Sequence, residues 1–474
     1  GGSPAQSRRP SPCDSARLTE RVRAFGKQGC WSEALQLVHQ AWRGGLLPDV
    51  YVGSAAISAC CQSKQWQQAL GLFGDLPQRG VQPSPVTCSV AISACERARQ
   101  WRHAFLLLGD SLQRRLRPNV IAYSVAVSAC EKGQQWQHAL CLFDDLLRSD
   151  LQPDVITYSA VISACEKGQQ WQWALCLFGD LQTSDLQPNV ITYSAAISAC
   201  EKGQKWQQAM FLLGSLLLSR LQPDAIAYNA VLSACEKDHQ WQQALCLLSE
   251  LLHDRLRPSV ITYNAAISAC EKGQQWQRAL CLLHDLFQIR LQPSIVTYSA
   301  AISACEKAKQ WPHAFRLLGE LSQSGLQPNI ITYNSLVSAC MQCQRWQQAL
   351  GVLGNLLHSC LHPDIITYNT IISACEKGRQ WLQVLHLLGD LLKCDLKPHA
   401  ITSIAATAVC ANAGRWAWAL DLLREMSLRK VKREVSMCHN VILTCAGHGK
   451  LECARGLLQE IQRMGLRSVI VAIG

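Results

Sequence analysis

Residues 120 to 154 read VIAYSVAVSACEKGQQWQHALCLFDDLLRSDLQPD, and residues 155 to 189 read VITYSAVISACEKGQQWQWALCLFGDLQTSDLQPN. Residues 190 to 224 begin the same text again, VITYSAAISACEKGQKWQQAMFLLGSLLLSRLQPD. A chain that restarts every 35 residues cannot build one central core. Each unit has to bury its apolar side chains against its neighbours. The 474 residues therefore form an array and not the three globular domains their number would suggest. With Val155 as position 1, the frame fits thirteen consecutive units from Ser15 to Val469 without an insertion. Position 17 is Trp in the first twelve, position 34 is Pro in the first eleven, and position 20 is almost always Ala.

The apolar spacing inside a unit predicts two helices. Trp171, Ala174, Leu175, Phe178 and Leu181 recur at helical intervals, as do Tyr158, Ile162 and Cys165 before them. Gly168 with Gln169 separates the two helices, and Pro188 prevents the second from continuing. One helix pair cannot cover both stripes, but stacked pairs can. The expectation is an all-α solenoid of about 26 helices in 13 pairs, with the Trp stripe in its core. Twelve of the 25 cysteines fall at position 11, from Cys60 to Cys445. Equivalent atoms of stacked helices lie roughly 10 Å apart, beyond the reach of a disulfide, so these read as small buried residues in a reducing compartment. The pair Cys340 and Cys343 has no second CxxC to complete a zinc site. No run of 18 charge-free apolar residues is present to cross a membrane. A net charge of +11 permits an anionic partner without requiring one.

Positions 2, 5, 9 and 12 share one stripe of the first helix: Ile156, Ser159, Ser163 and Glu166, followed by Lys167 at position 13. A solvated face accounts for Ser and Lys, but it has no need of Ile or Val at position 2 in nearly every unit. Position 5 switches between Ser and Asn, and position 35 between Asp, Asn and Ser, in an otherwise uniform array. Turn and helix-cap chemistry explains the residue types after Pro, though not their pairing with position 5.

The pattern VITYNxxISAxxKxxxxxxALxLxxxLxxxxLxPD at a 35-residue period, over 455 of 474 residues, resembles the pentatricopeptide repeat family. The tetratricopeptide repeat has a different period and a Gly/Tyr pair in its first helix that is lacking here; Trp at 17 and Cys at 11 are peculiar to this chain. The resemblance implies a right-handed superhelix that binds single-stranded RNA in a eukaryotic organelle, one base per repeat. It implies base reading by positions 5 and 35. An acceptor-only Asp suits the ring N–H of guanine or uracil, and a donor-capable Asn or Ser suits the ring nitrogen of adenine or cytosine. At position 5 the family associates Ser with purines and Asn with pyrimidines. From Ser89/Asn119 the pairs continue as Ser124/Asp154, Ser159/Asn189, Ser194/Asp224, Asn229/Ser259, Asn264/Ser294, Ser299/Asn329 and Asn334/Asp364. In the family's parallel orientation they read 5′-AGAGCCAU-3′. Asn369/His399 adds an unspecified pyrimidine and Ser54/Ser84 is unassigned.

The same resemblance makes Val86, Ile121, Ile156, Ile191, Ile226, Ile261, Val296, Ile331 and Ile366 wedges between bases. It makes Arg97, Lys132, Lys167, Lys202, Lys237, Lys272, Lys307 and Lys377 the phosphate contacts. The expected organisation is a tail over 1–14, a degenerate capping repeat over 15–49 and ten repeats over 50–399. Two degenerate capping repeats over 400–469 and a tail over 470–474 complete it. Phe25 replaces the usual Cys of the first repeat, and Ile404 and His439 replace the position-5 residue of the last two. No zinc-deaminase, nuclease or phosphate-loop motif occurs, so neither an enzyme nor a cofactor is expected. The expected partners are single-stranded organellar RNA and recruited processing factors, with neither membrane nor DNA. The chloroplast is favoured over the mitochondrion. Gly1 in place of Met points to a fragment or a processed form without its targeting peptide. The competing reading is a protein-interaction scaffold without RNA specificity.

Overall fold

The computed structural model describes residues 12–43, 49–114, 116–253, 256–359, 361–394, 398, 400–428 and 435–463. Among them all regular structure is helical, in 26 helices from α1 (Pro12–Lys27) to α26 (Leu451–Arg463). The odd-numbered helices are the first of each pair and the even-numbered ones the second. The expected tail over 470–474 and most of that over 1–14 lie outside the described residues.

One repeat explains the rest. In α9 (Val155–Lys167) the N-cap Asp154 is extended, and its Oδ1 accepts the Thr157 N–H at 2.8 Å. The helix ends in a Schellman turn: Gln170 N–H bonds Cys165 C=O at 2.9 Å, and Gln169 N–H bonds Glu166 C=O at 3.1 Å. The left-handed residue is Gln169, at φ 58°, and not the glycine beside it. Gly168 has φ −79°, which any residue adopts. A Cβ there would lie 2.3 Å from Cδ1 of Trp136 in the preceding repeat as that indole is seated. The sequence therefore places Gly168 correctly at the break, but its role is close approach to an indole. After this turn α10 (Trp171–Thr183) runs back along α9.

The chain forms two compact units, Gly1–Ala234 and Cys235–Gly474, and each is an α-solenoid. In the first unit α1, α3 (Val50–Gln62), α5 (Pro85–Arg97), α7 (Val120–Lys132), α9 and α11 (Val190–Lys202) pack each against the next. In the second, α15 (Val260–Lys272), α17 (Ile295–Lys307), α19 (Ile330–Gln342), α21 (Ile365–Lys377), α23 (Ala400–Asn412) and α25 (Val435–Gly447) do the same. Within each unit the second helices pack against their own partners and the first helices of the following repeats. α8 (Trp136–Arg148), for example, lies against both α7 and α9.

The core is made at these seams. Tyr158, Ile162, Cys165, Ala174, Phe178 and Leu181 are buried. Burial pushes the Cys165 and Cys200 thiols up to about 12, so they stay protonated and act as small apolar side chains. The Trp at position 17 is half-buried and packs against the core with one face. Its other face takes a cation or an imidazole from the next repeat. Lys205 lies 5.1 Å from the Trp171 ring, Arg345 5.4 Å from Trp311, and the rings of Trp101 and His138 are 4.9 Å apart.

Candidate nucleic-acid interface

The first helices line one face of each unit, and position 2 stands out from it. All nine aliphatic residues expected to wedge between bases, Val86 to Ile366, are between 60% and 67% exposed. A single exposed Ile needs no explanation, but the same exposure in successive layers makes an apolar column along each unit.

Beside this column, positions 5 and 35 meet through a residue that sequence reasoning missed, the Thr at position 3 of the next repeat. Ser159 Oγ lies 2.8 Å from Thr192 Oγ1, and Thr192 Oγ1 donates to Asn189 Oδ1 at 2.8 Å. Ser124, Thr157 and Asp154 repeat the arrangement, with contacts of 2.5 and 2.6 Å, as do Ser299, Thr332 and Asn329 at 2.7 and 2.8 Å. With Asn at position 5, Thr297 Oγ1 donates to Asn264 Oδ1 at 2.6 Å and Thr367 Oγ1 to Asn334 Oδ1 at 2.6 Å. Thr402 bonds Asn369 in the same way. Asn at position 5 also reaches position 35 directly, Asn264 Nδ2 donating to Ser294 Oγ at 3.4 Å and Asn334 Nδ2 to both carboxylate oxygens of Asp364 at 3.4 Å, and where position 3 is Ala a Ser does the same. Ser89 Oγ donates to Asn119 Oδ1 at 3.0 Å beside Ala122, and Ser194 Oγ to Asp224 Oδ1 at 3.1 Å beside Ala227. Asn229 is engaged as well. His399 lies outside the described residues. In the expected C-terminal caps, Ile404 packs against the core and His439 is half-buried.

These bonds decide what each side chain can still offer. Ser159 Oγ also donates to Val155 C=O at 2.7 Å. Two hydroxyl protons, of Ser159 and Thr192, thus serve three contacts, and neither is left to point outward. The Ser residues at 89, 124, 159 and 194 are buried, which sequence spacing alone had put on the open stripe. Position 35 is different, because it has two polar atoms. Oδ1 of Asn119, Asp154, Asn189, Asp224, Asn329 and Asp364 faces inward and caps the next helix through a backbone N–H at 2.7–3.0 Å. Among the described residues no hydrogen bond or ion pair falls on Nδ2 of Asn119, Asn189 or Asn329, nor on Oδ2 of Asp154 or Asp224. None of these atoms is buried. The outward atom is therefore a donor where the residue is Asn and an acceptor where it is Asp. Ser259 and Ser294 have only Oγ, and they spend it on a capping box with Thr262 and Thr297.

The cations at position 13 are not free-standing. Lys132 Nζ is 2.5 Å from Glu96 of the preceding repeat, Lys167 2.8 Å from Glu131 and Lys202 2.6 Å from Glu166. In the second unit Lys272 pairs with Glu236 at 3.1 Å and Lys307 with Glu271 at 2.9 Å. Lys237 is engaged too. Glu at position 12, which by its repetition reads as structural or solvent-facing, thus ties each layer to the next. Among the described residues Arg97 and Lys377 of this row meet no carboxylate, because position 12 before them is not Glu. Arg97 stands beside Cys61, and Lys377 Nζ contacts Met341 Sδ at 3.1 Å. Cys340 is buried, and Cys343 Sγ donates to Lys309 C=O at 3.3 Å.

Stacked helix pairs with one polar seam per layer define a helical-repeat protein. The chain belongs to the pentatricopeptide repeat family. The pentatricopeptide repeat domain matches residues 71–132, 141–203 and 316–377, the PPR repeat family 223–272, and the PPR repeat 54–81, 296–326 and 366–396. No curated protein matches the chain. Among solved structures it is similar to the pentatricopeptide repeat protein PPR10 from maize, at 19% identity over 95% of this chain and 74% of that one, with a TM-score of 0.49. PPR10 in complex with an 18-nt psaJ RNA element matches at 19% identity over 94% and 74%, with a TM-score of 0.44. Yeast Rmd9p in complex with 16nt target RNA matches at 12% identity over 96% and 97%, with a TM-score of 0.31.

Proposed function

We propose that the chain binds single-stranded RNA by sequence, one base per repeat, and reads 5′-AGAGCCAU-3′ from Ser89/Asn119 to Asn334/Asp364. It does so as a binder without catalysis of its own. It serves organellar RNA processing, stabilisation, splicing or translation, in the chloroplast ahead of the mitochondrion. Family membership supports RNA as the ligand. The observation that carries the sequence reading is the division of labour at position 35. One atom holds the helix, and the other, donor or acceptor by residue, is left for a base edge. The exposed aliphatic column supplies apolar surface for the base faces, and the row from Arg97 to Lys377 meets the backbone.

Asp154→Asn tests the reading. It exchanges the outward acceptor for a donor and keeps the cap. In competition between AGAGCCAU and AAAGCCAU oligonucleotides, the variant should move its preference from G to A at that position, by about 1–3 kcal/mol. A variant that keeps the parent's preference leaves position 35 as a cap and nothing more.

A further inference from the structure

The carboxylate row explains what is unusual about the first layers. In later layers Glu at position 12 gathers donors from the next repeat. Glu96 accepts from Ser128 Oγ at 3.2 Å and Lys132 Nζ at 2.5 Å, and Glu271 from Ser303 Oγ at 2.9 Å and Lys307 Nζ at 2.9 Å. The corresponding residue of α1 is Gly26, and its donors across the seam are Ser58 and Gln62. Where a carboxylate would stand there is a cleft of about 290 Å³ between α1, α3 and α5. Arg23, Lys27, Ser58 and Gln62 line it, and no acidic residue does. Among the described residues Arg23 and Lys27 make no ion pair, Glu20 on the same helix included. Arg97, the next cation along, also meets no carboxylate, because Cys61 occupies that place. Val86, the first of the exposed aliphatic column, forms part of the rim.

We infer that this cleft is a phosphate site. It takes a phosphate group of a single-stranded polynucleotide in the place that Glu fills elsewhere. The inference rests on the proposed function, and it gives the first repeat a task other than reading a base. The chemistry is one of subtraction. A phosphate approaching Lys132 or Lys167 has to compete with a carboxylate already in place, so its net gain in charge pairing is small. A phosphate at Arg23 and Lys27 finds two uncompensated cations and the Ser58 hydroxyl, with no carboxylate to displace.

The test compares Arg23→Gln/Lys27→Gln with Lys132→Gln/Lys167→Gln, both checked for unchanged helicity by circular dichroism. Affinity for AGAGCCAU extended at its 5′ end, so that a phosphate reaches the first repeat, is measured between 50 and 200 mM salt. Each phosphate contact on a single strand contributes about 0.7 to the slope of log affinity against log salt. Losing that one phosphate contact should make the first variant's slope shallower by about 0.7, or about 2.6-fold less loss of affinity over that range. The second variant should change less. Inorganic phosphate, exchanged for chloride at constant ionic strength, should weaken the parent's binding and leave the first variant's unchanged; that result would support the phosphate site. Slopes equal in parent and first variant, or a larger change in the second, overturn the inference and leave RNA binding intact. A parent that binds no oligonucleotide overturns both.

Discussion

The repeat over residues 330–364 carries Met341–Gln342 where its neighbours carry Glu–Lys, and this leaves two charges without an opposite charge across the seam. Glu306 has no lysine in the following repeat, and Lys377 has no carboxylate in the preceding one. Burial holds the Glu306 carboxyl above its usual range, against hydrogen bonds from Ser338 and Ser335 and the charge of Lys307. Such a carboxyl binds its proton more tightly folded than unfolded. Its ionisation therefore costs stability as pH rises through the raised value, and costs nothing below the ordinary value of about 4.3. Gln342→Lys places an ammonium where Lys307 stands relative to Glu271, and that pair closes at 2.9 Å. The pair is partly shielded, with side-chain exposures of 39% and 18%, so its worth is near the upper end for surface pairs, about 1 kcal/mol. Met341→Glu offers Lys377 a partner on an exposed rim and adds less, about 0.5 kcal/mol. Urea denaturation at pH 7.5 and at pH 4, in low and high salt, measures both. Gln342→Lys should stabilise at the higher pH, lose most of the gain at the lower, and shrink with salt. The two substitutions complete different pairs but sit side by side, so a double-mutant cycle measures their coupling. A gain that is equal at both pH values refutes the account of Glu306 as a half-buried carboxylate without its cation.

Other expectations follow from single contacts. Asp154→Ala removes the acceptor for the N–H and hydroxyl of the buried Thr157 and should cost about 2–3 kcal/mol, whereas Asp154→Asn should cost under about 0.5 kcal/mol; the difference is read in urea midpoints. Gly203→Ala puts a Cβ 2.4 Å from Cγ of Trp171 and should destabilise by about 1–3 kcal/mol, with a change in tryptophan fluorescence. The cost at Gly203 is steric and not conformational, since its φ is −79°. A thiol reagent at pH 8 should label the exposed Cys141 and Cys176 in the native protein and spare Cys130 and Cys165, whose thiols burial pushes up to about 12; mass spectrometry of digests gives the pattern.

Periodicity made most of the fold legible. The spacing of Trp171, Ala174, Phe178 and Leu181 identifies a helix whatever surrounds it, and the repeat fixes what it packs on. Interlayer chemistry was harder to read, because the partners lie 33 or 36 residues apart and depend on how far one layer is offset from the next. Thr at position 3 passes for an ordinary first-turn residue until Ser159 is seen to bond Thr192. Lys167 passes for a free cation until Glu131 is found beside it. A signal was nevertheless present: Glu and Lys disappear together at Cys61–Gln62 and at Met341–Gln342. Ser at position 5 was misplaced on open surface for the same reason, since the next layer covers it.

The split between the two atoms of position 35 also bears on how such an array changes over generations. Asp and Asn differ by a single codon letter and are equivalent as helix caps. Folding therefore exerts no selection between them at residues 119, 154, 189 and 224. The outward chemistry of each layer can drift, or be redrawn by an engineer, one letter at a time while the scaffold remains blind to the exchange. The two Ser caps, at 259 and 294, have no second polar atom to exchange. Their capping boxes hold the hydroxyl in place, and no single-atom exchange reverses its polarity.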